Sequence, residues 1–198
     1  MKMTDVREAS VVVLYHSGYG HTEAVAKSVA KGAEAVDGVS VQQIKADDEN
    51  LNWEALADAD AIIFGSPTYM GSVSAQFKTF MDASSKVWAS MGWKDKLAGG
   101  FTCSASQSGD KLNTLIQLAV FSAQHGMQWI STGTLPGNNS SQGSVEDVNR
   151  LGSTLGLMAQ ANADQGADVA PPAADHRTAE LYGARIAEAA KRWNGLAG

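Results

Sequence analysis

Ser10-Val11-Val12-Val13-Leu14-Tyr15-His16-Ser17-Gly18-Tyr19-Gly20-His21-Thr22 is the stretch that decides the reading of this chain. Its first half is a short apolar, β-branched run, the pattern of a strand buried on both faces of a parallel sheet. Its second half passes at once into glycine and small polar residues. A helix is predicted next, from about Glu23 to Val36, with Val25, Val29, Ala33 and Val36 on one face and Asp37-Gly38 at its end.

The rest of the chain repeats this alternation. Val39 to Ile44 reads as a second strand, Asn52 to Ala59 as a short helix, and Ala59 to Gly65 as a third strand. After the loop Ser66 to Gly71, a helix is predicted to carry Val73, Phe77, Phe80 and Met81. Leu97 to Cys103 is a fourth strand, followed by the loop Ser104 to Gly109. A helix from Asp110 to about Gln124 is apolar enough that burial is expected. Met127 to Thr132 reads as a fifth strand, and Thr178 to Trp193 as a closing helix with Tyr182, Ile186, Ala189 and Trp193 facing inward. Strands alternating with helices predict one α/β domain over residues 1–198, a parallel sheet with helices on both faces.

Gly133 to Arg177 breaks the pattern. It is rich in Gly, Asn, Ser, Ala and Pro, and reads as an inserted segment before the last helix. Segments of this length inside a compact domain are uncommon and usually functional when ordered; the composition equally fits a floppy surface insertion. Leu151, Leu155, Leu157 and Met158 within it predict a covering partner, since a lone domain rarely exposes such residues together.

Composition narrows the function classes. The 198 residues are 44% hydrophobic and 18% charged, which is ordinary for a globular domain. A formal net charge of -6 argues against nucleic acid as a partner, because that affinity comes from Lys and Arg against phosphate. No apolar run reaches the roughly 20 residues of a membrane helix. Met1 to Ser10 contains Asp5 and Glu8 and does not read as a signal peptide, so a cytoplasmic location is expected. Cys103 is the single cysteine, and His16, His21, His125 and His176 show no metal-ligand spacing, so no metal is expected. Cys103 reads as a packing residue, Asp47-Asp48-Glu49 as a solvated turn, and Trp88 and Trp93 either as substrate or interface aromatics or as core.

In an open α/β sheet, ligands bind outside the carboxyl ends of the strands. Three loops of unusual composition lie there: Ser17 to Thr22, Ser66 to Gly71, and Ser104 to Gly109. The first meets a helix N-terminus, where unpaired N–H groups and the helix dipole favour an anion. Gly18 and Gly20 allow close approach, Ser17 and Thr22 add hydroxyls, and the first cation is Lys27. A phosphate there is held by neutral donors; the simpler alternative is a capped helix. There is no G-x-x-x-x-G-K-[ST] motif, and Gly18-Tyr19-Gly20 is an incomplete dinucleotide fingerprint, with Glu23 in the third place. Tyr69 and Met70 after Pro67 suit a planar ring system or plain packing. The hydroxyls of the third loop suit a heterocycle edge or an ordinary loop.

The run Val12 to Thr22 and the run Ala61-Ile62-Ile63-Phe64-Gly65-Ser66-Pro67-Thr68 resemble the WrbA-type NAD(P)H:quinone oxidoreductases, flavodoxin-fold FMN enzymes. Gln76-Phe77-Lys78-Thr79-Phe80-Met81-Asp82, Trp88-Ala89-Ser90, Lys96-Leu97-Ala98 and His125-Gly126-Met127 extend the resemblance over nearly the whole chain. Three features depart from it. The third loop reads Cys103-Ser104-Ala105-Ser106-Gln107-Ser108 where relatives are Thr/Gly-rich. Gln124-His125 replaces a common histidine pair, and the second loop lacks an arginine.

The resemblance implies a five-stranded flavodoxin-like sheet of order 2-1-3-4-5. It implies FMN, with its phosphate at Ser17, Gly18, Tyr19, Gly20, His21 and Thr22 and its ring at Pro67, Thr68, Tyr69 and Met70. A third flavin loop would run through Cys103, Ser104, Ala105, Ser106, Gln107 and Ser108, with Gln124 where relatives place a histidine near the flavin. Tyr19 falls at the nicotinamide position, and Trp88 and His125 at the substrate position. The implied reaction is hydride transfer from NAD(P)H to FMN and then two-electron reduction of a quinone, in a homotetramer. A flavodoxin-like one-electron carrier for a protein redox partner is the alternative.

Overall fold

The computed structural model describes residues 7–195. β1 (Ala9–Tyr15) lies inside the sheet and sends alternate side chains to opposite faces, as the period of a strand requires. Val11, Val13 and Tyr15 enter one apolar core, Val12 and Leu14 another. Then follow α1 (His21–Glu34), β2 (Val39–Lys45), α2 (Trp53–Asp58), β3 (Ala61–Tyr69) and β4 (Ser72–Val73), the last antiparallel to the end of β3. α3 (Ala75–Ala83), α4 (Ser85–Ala89), β5 (Leu97–Ser104), α5 (Lys111–Gln124), β6 (Gln128–Trp129), β7 (Leu157–Gln160) and α6 (Ala173–Trp193) complete the order. The parallel strands run β2-β1-β3-β5, with β6 and β7 end to end along the outer edge of β5. This is the expected flavodoxin-like α/β sheet, with α1 and α6 on one face and α2, α3 and α5 on the other.

Several local expectations change. The predicted fifth strand is interrupted: β6 pairs with Leu97 and Ala98, the chain departs, and β7 returns to pair with Phe101 to Ser104. Thr132 marks the crossing, its N–H and hydroxyl donating to the carbonyl of Thr154 and the hydroxyl also to that of Ser153. The inserted segment therefore contains a strand of the sheet. Leu157 is in one core and Leu155 and Met158 pack against the other, so these three need no partner chain to cover them; Leu151 is half-buried. The apolar character of α5 is instead half outward: Leu115, Leu118 and Phe121 are buried, whereas Leu112, Ile116 and Val120 are exposed. Val73 is buried but belongs to β4, not to a helix. α6 starts earlier than predicted, directly after Pro171-Pro172, and Trp193 at its end is exposed while Ala189 is half-buried. Trp93 is a core residue, stacked on Trp53 and Phe80. No helix among the described residues is long and apolar enough to cross a membrane. Residues 1–6 of the N-terminal stretch read against a signal peptide lie outside the described residues.

α1 and α6 touch backbone to backbone. A Cβ on Gly183 would lie 1.9 Å from the Val29 carbonyl oxygen, and one on Gly32 would lie 1.9 Å from that of Glu180. On propensity alone, Gly183→Ala should stabilise a helix by up to about 1 kcal/mol. Here the overlap dominates, and the substitution should destabilise by about 1–3 kcal/mol or more as the helices are pushed apart. Chemical denaturation checks this: the midpoint should fall, and an unchanged or higher midpoint contradicts the close crossing.

Candidate functional site

Sheet register brings four strand ends to one edge. Tyr15 pairs with Gly65, Pro67 with Cys103, and Ser104 with Gln160. The loops after β1, β3, β5 and β7 therefore converge, and they enclose a cavity of about 670 Å³. Ser17, Tyr19, His21 and Thr22 line it from the first loop; Pro67, Thr68 and Tyr69 from the second; Cys103, Ser104 and Ala105 from the third. Ala161, Ala163 and Gln165 form a fourth wall that the sequence reading missed. The only advance signal was the unusual length of the segment in which they lie.

The first loop is built as an anion cradle. Gly20 precedes α1 with a φ of 89°, a left-handed conformation suited to glycine, and its position provides no side-chain cap. Ser17 Oγ reaches forward instead and accepts from the N–H groups of Gly20 and Glu23, each at 3.1 Å. The N–H groups of Tyr19, His21 and Thr22 have no protein partner among the described residues. Such donors at the start of a helix suit a phosphate. Glu23, the acid of the first turn, is neutralised by Lys27 at 2.9 Å and Lys45 at 3.4 Å, and the hydrogen bond from Lys27 holds its carboxyl below its usual range. A Cβ on Gly18 would meet Tyr69 Oη at 2.6 Å, so glycine there lets the first two loops close together. The side chain of His21 reaches the fourth loop, with Nε2 2.7 Å from the Gln165 carbonyl oxygen.

Behind this loop, His16 is buried between Ser74 Oγ, 2.9 Å from Nδ1, and Asp47, 3.8 Å from Nε2. Burial lowers its pKa, so it stays neutral at pH 7. Ser74 also caps α3 by accepting from Phe77 N–H, so His16 links the first two loops from beneath. The expected solvated turn thus supplies a partner, Asp47, to a buried imidazole.

The second and third loops form the other side of the cavity. Thr68 Oγ1 lies 2.7 Å from Thr102 Oγ1 and 2.8 Å from Thr114 Oγ1, a buried hydroxyl cluster that anchors the second loop to β5 and α5. Tyr69 is half-buried, and burial pushes its phenol up. Tyr19 meets it edge-on, centroids 6.1 Å apart, and is itself 80% exposed. Met70 points into solvent with a φ of 48° and does not line the cavity. Burial pushes the Cys103 thiol up to about 12, so it is a neutral wall and no nucleophile. Gln107 and Ser108 do not line the cavity either; they face a neighbouring one of about 710 Å³ with Lys111 and Arg150. Ser106 lines neither.

Gln124, His125 and Trp88 are not brought to the four loops within one chain. They line a separate groove of about 640 Å³ between α3, α4 and α5. The reason is helix direction: α5 leaves the loop edge at Lys111 and, at about 1.5 Å per residue, carries Gln124 to the far edge of the sheet. Trp88 is 52% exposed there, on α4, a helix the sequence reading did not contain. His125 is buried between Trp93 and Phe121, at ring-centroid distances of 4.4 and 4.8 Å. Ser84 gives its proton to the Met81 carbonyl, so it accepts from His125 Nε2 at 2.9 Å. Nδ1 is then a bare acceptor, and it has no partner.

Ser17→Asp tests the cradle. Aspartate can still accept from both N–H groups, but its charge opposes a phosphate. FMN affinity should fall at least about tenfold while riboflavin, which lacks the phosphate, binds as before. Fluorescence titration of the flavin-free chain reads both; equal loss of the two flavins places the phosphate elsewhere.

Residues 10–142 match the family described as NADPH-dependent FMN reductase, a span that includes the first three loops. The chain is 44% identical over 181 residues to flavodoxin FldP of Pseudomonas aeruginosa (strain UCBPP-PA14), covering 90% of this chain and 95% of that protein. The crystal structure of a WrbA-like flavodoxin from Agrobacterium tumefaciens superposes with a TM-score of 0.70 at 44% identity, over 93% of this chain and 99% of that one. A flavodoxin from the domain Archaea, 22% identical, shares the fold with a TM-score of 0.64 over 92% of this chain and 99% of that one. Matched over more than half its length, the chain belongs to the NADPH-dependent FMN reductase family, whose flavin is FMN and whose reductant is a nicotinamide nucleotide.

Proposed function

We propose that this protein is a cytoplasmic, WrbA-type NAD(P)H:quinone oxidoreductase that acts as a homotetramer. The observation that carries the reading is the family match that spans the first three of the four loops lining the 670 Å³ cavity. FMN, when bound, supplies hydride acceptance from NAD(P)H and electron delivery to the quinone. The chain's own part is to hold and shield. The amides of Tyr19, His21 and Thr22 bind the phosphate, while Thr68 and Tyr69 orient the ring. The Cys103 thiol keeps water from the cavity floor without adding charge. Tyr19, projecting at the mouth, stacks on the nicotinamide.

Quinone selection falls to the second groove. Gln124 and His125, at the far end of α5, and Trp88, on α4 across the same groove, lie too far from the four loops to serve their own chain's cavity, so in this reading they complete the site of a neighbouring subunit. The exposed stripe Leu112, Ile116 and Val120 lies on the same helix and supplies the apolar contact. Trp88→Ala should lower kcat/KM for a benzoquinone by about tenfold with FMN content unchanged; a lower Tm with intact kinetics returns Trp88 to a packing role. Val120→Asp, on an outward face, should leave the fold intact and break the assembly. Light scattering should then report a smaller species with reduced turnover, and a monomeric, fully active parent protein removes both the tetramer and the shared site.

A one-electron carrier is the second reading, favoured by the flavodoxin name of the Pseudomonas relative. NAD(P)H oxidation with a benzoquinone separates the two: a carrier turns over negligibly with these small molecules and exchanges electrons with a protein partner instead.

A further inference from the structure

A covered ammonium lies behind the third loop and has no part in the reading above. Lys111 opens α5, and its side chain is fully buried. Its Nζ donates to the carbonyls of Ser106 at 2.5 Å and Gln107 at 3.1 Å. The preceding carbonyl, that of Ala105, accepts from Gln160 Nε2 at 2.9 Å. A trans peptide points its N–H opposite to its C=O. With these carbonyls engaged, the N–H groups of Ser106, Gln107 and Ser108 turn away from Lys111 and Gln160. None of them has a protein partner among the described residues. Gln107 and Ser108 line the neighbouring cavity of about 710 Å³, whereas Ser104 and Ala105, just before the carbonyls that Lys111 holds, line the four-loop cavity.

We propose that Lys111 is a positioning residue for flavin binding: by holding the Ser106 and Gln107 carbonyls it fixes the course of the third loop, whose Cys103, Ser104 and Ala105 wall the four-loop cavity. The proposal rests on the reading of the four-loop cavity as the FMN site.

The surroundings of Lys111 support this. The charged and titratable groups that face it are Cys103 on β5, Asp175 on α6, Arg150 in the inserted segment, and Asp110 beside it in the loop. Cys103 is a neutral thiol. Asp175 is already engaged: Oδ1 accepts from Arg150 Nε at 2.7 Å, and Oδ2 accepts from Arg150 Nη2 at 3.0 Å and from Gln160 N–H at 2.8 Å. Lys111 therefore has no salt-bridge partner among the described residues, and burial pushes its pKa down to about 8. A methionine fills similar space with no charge to desolvate, so what the ammonium adds is direction.

Two pH trends of opposite sign follow. In the unfolded chain Lys111 titrates at its ordinary value of 10.5, and in the folded chain at about 8. Between those values the unfolded state binds more protons, so the contribution of Lys111 to stability rises with pH. Over the same interval its loss of charge slackens the loop, so flavin affinity falls. A lysine that merely supports the fold would move both quantities together.

The experiment titrates the flavin-free full chain with riboflavin and with FMN, from about pH 7 to about pH 9.5. Riboflavin reports on the ring loop apart from the phosphate cradle. Both flavins should weaken by about tenfold across the range in the parent protein. Lys111→Met should bind both weakly from the outset, with no slope, and its flavin-free Tm should equal or exceed that of the parent at neutral pH. Parental riboflavin affinity in Lys111→Met, or a retained slope, overturns the proposal. If Lys111→Met does not fold, the parent titration decides alone: a flat riboflavin profile overturns the proposal and the predicted fall upholds it. A parent chain that binds neither flavin at neutral pH overturns the FMN reading and this proposal with it, whereas binding that is blind to Lys111 overturns only the latter.

Discussion

The site depends on one buried ion pair. Arg150 and Asp175 meet through two hydrogen bonds, with side chains 9% and 2% exposed. Each end holds something else: Arg150 Nη2 reaches Gln160 Oε1, and Asp175 Oδ2 takes the Gln160 N–H. Gln160 ends β7 and donates onward to Ala105 and to Asn162 Oδ1. The pair thus ties the inserted segment, the first turn of α6 and the third and fourth loops into one unit. Asp175 also lies where the dipole of α6 favours an acid. A buried pair is no strong source of net stability, but losing either partner strands a charge, at about 3–5 kcal/mol. Its contribution is a unique geometry for loops that contain few apolar anchors of their own.

The two cores divide the remaining work. One face is aliphatic and tight, with α1 and α6 in contact through Gly32 and Gly183. The other is aromatic, with Phe64, Phe77, Phe80, Trp93 and Phe121 in mutual edge and stacked contact. Aromatic clusters gain about 0.5–1.5 kcal/mol per pair beyond burial, and this one gives α3 and α5 a stiff base beneath the second and third loops. That stiffness reaches the first loop through Ser74, which caps α3 and meets His16, and it matters because the anion cradle contains no cation. It works through oriented amides, and amides act well only when their direction is set beforehand.

Much of this was legible from residue pattern. The apolar run Val11 to Tyr15, the glycine pair Gly18 and Gly20 and the alternation of strands and helices are local signals, and a local signal is written in neighbouring residues. The lining of the cavity by Ser17, Thr68 and Ser104 followed, because a parallel sheet puts the ends of its strands together. The fourth wall was not legible. Ala161, Ala163 and Gln165 carry no chemistry that marks them, and they reach the site only because β7 pairs with β5 in one register.

What the sequence by itself determined was the fold class and the position of the first three loops, since both follow from periods of two and 3.6 and from glycine placement. Tertiary structure alone decided that the fifth strand is split, that α5 turns Leu112, Ile116 and Val120 outward, and that Gln124 and His125 end at the opposite edge from Ser17. It alone also left Lys111 buried without a carboxylate of its own among the described residues, because Asp175 is claimed by Arg150. These outcomes depend on which distant segments compete for the same partner, and a hydrogen bond between residues 150 and 175 leaves no mark in the composition of either neighbourhood.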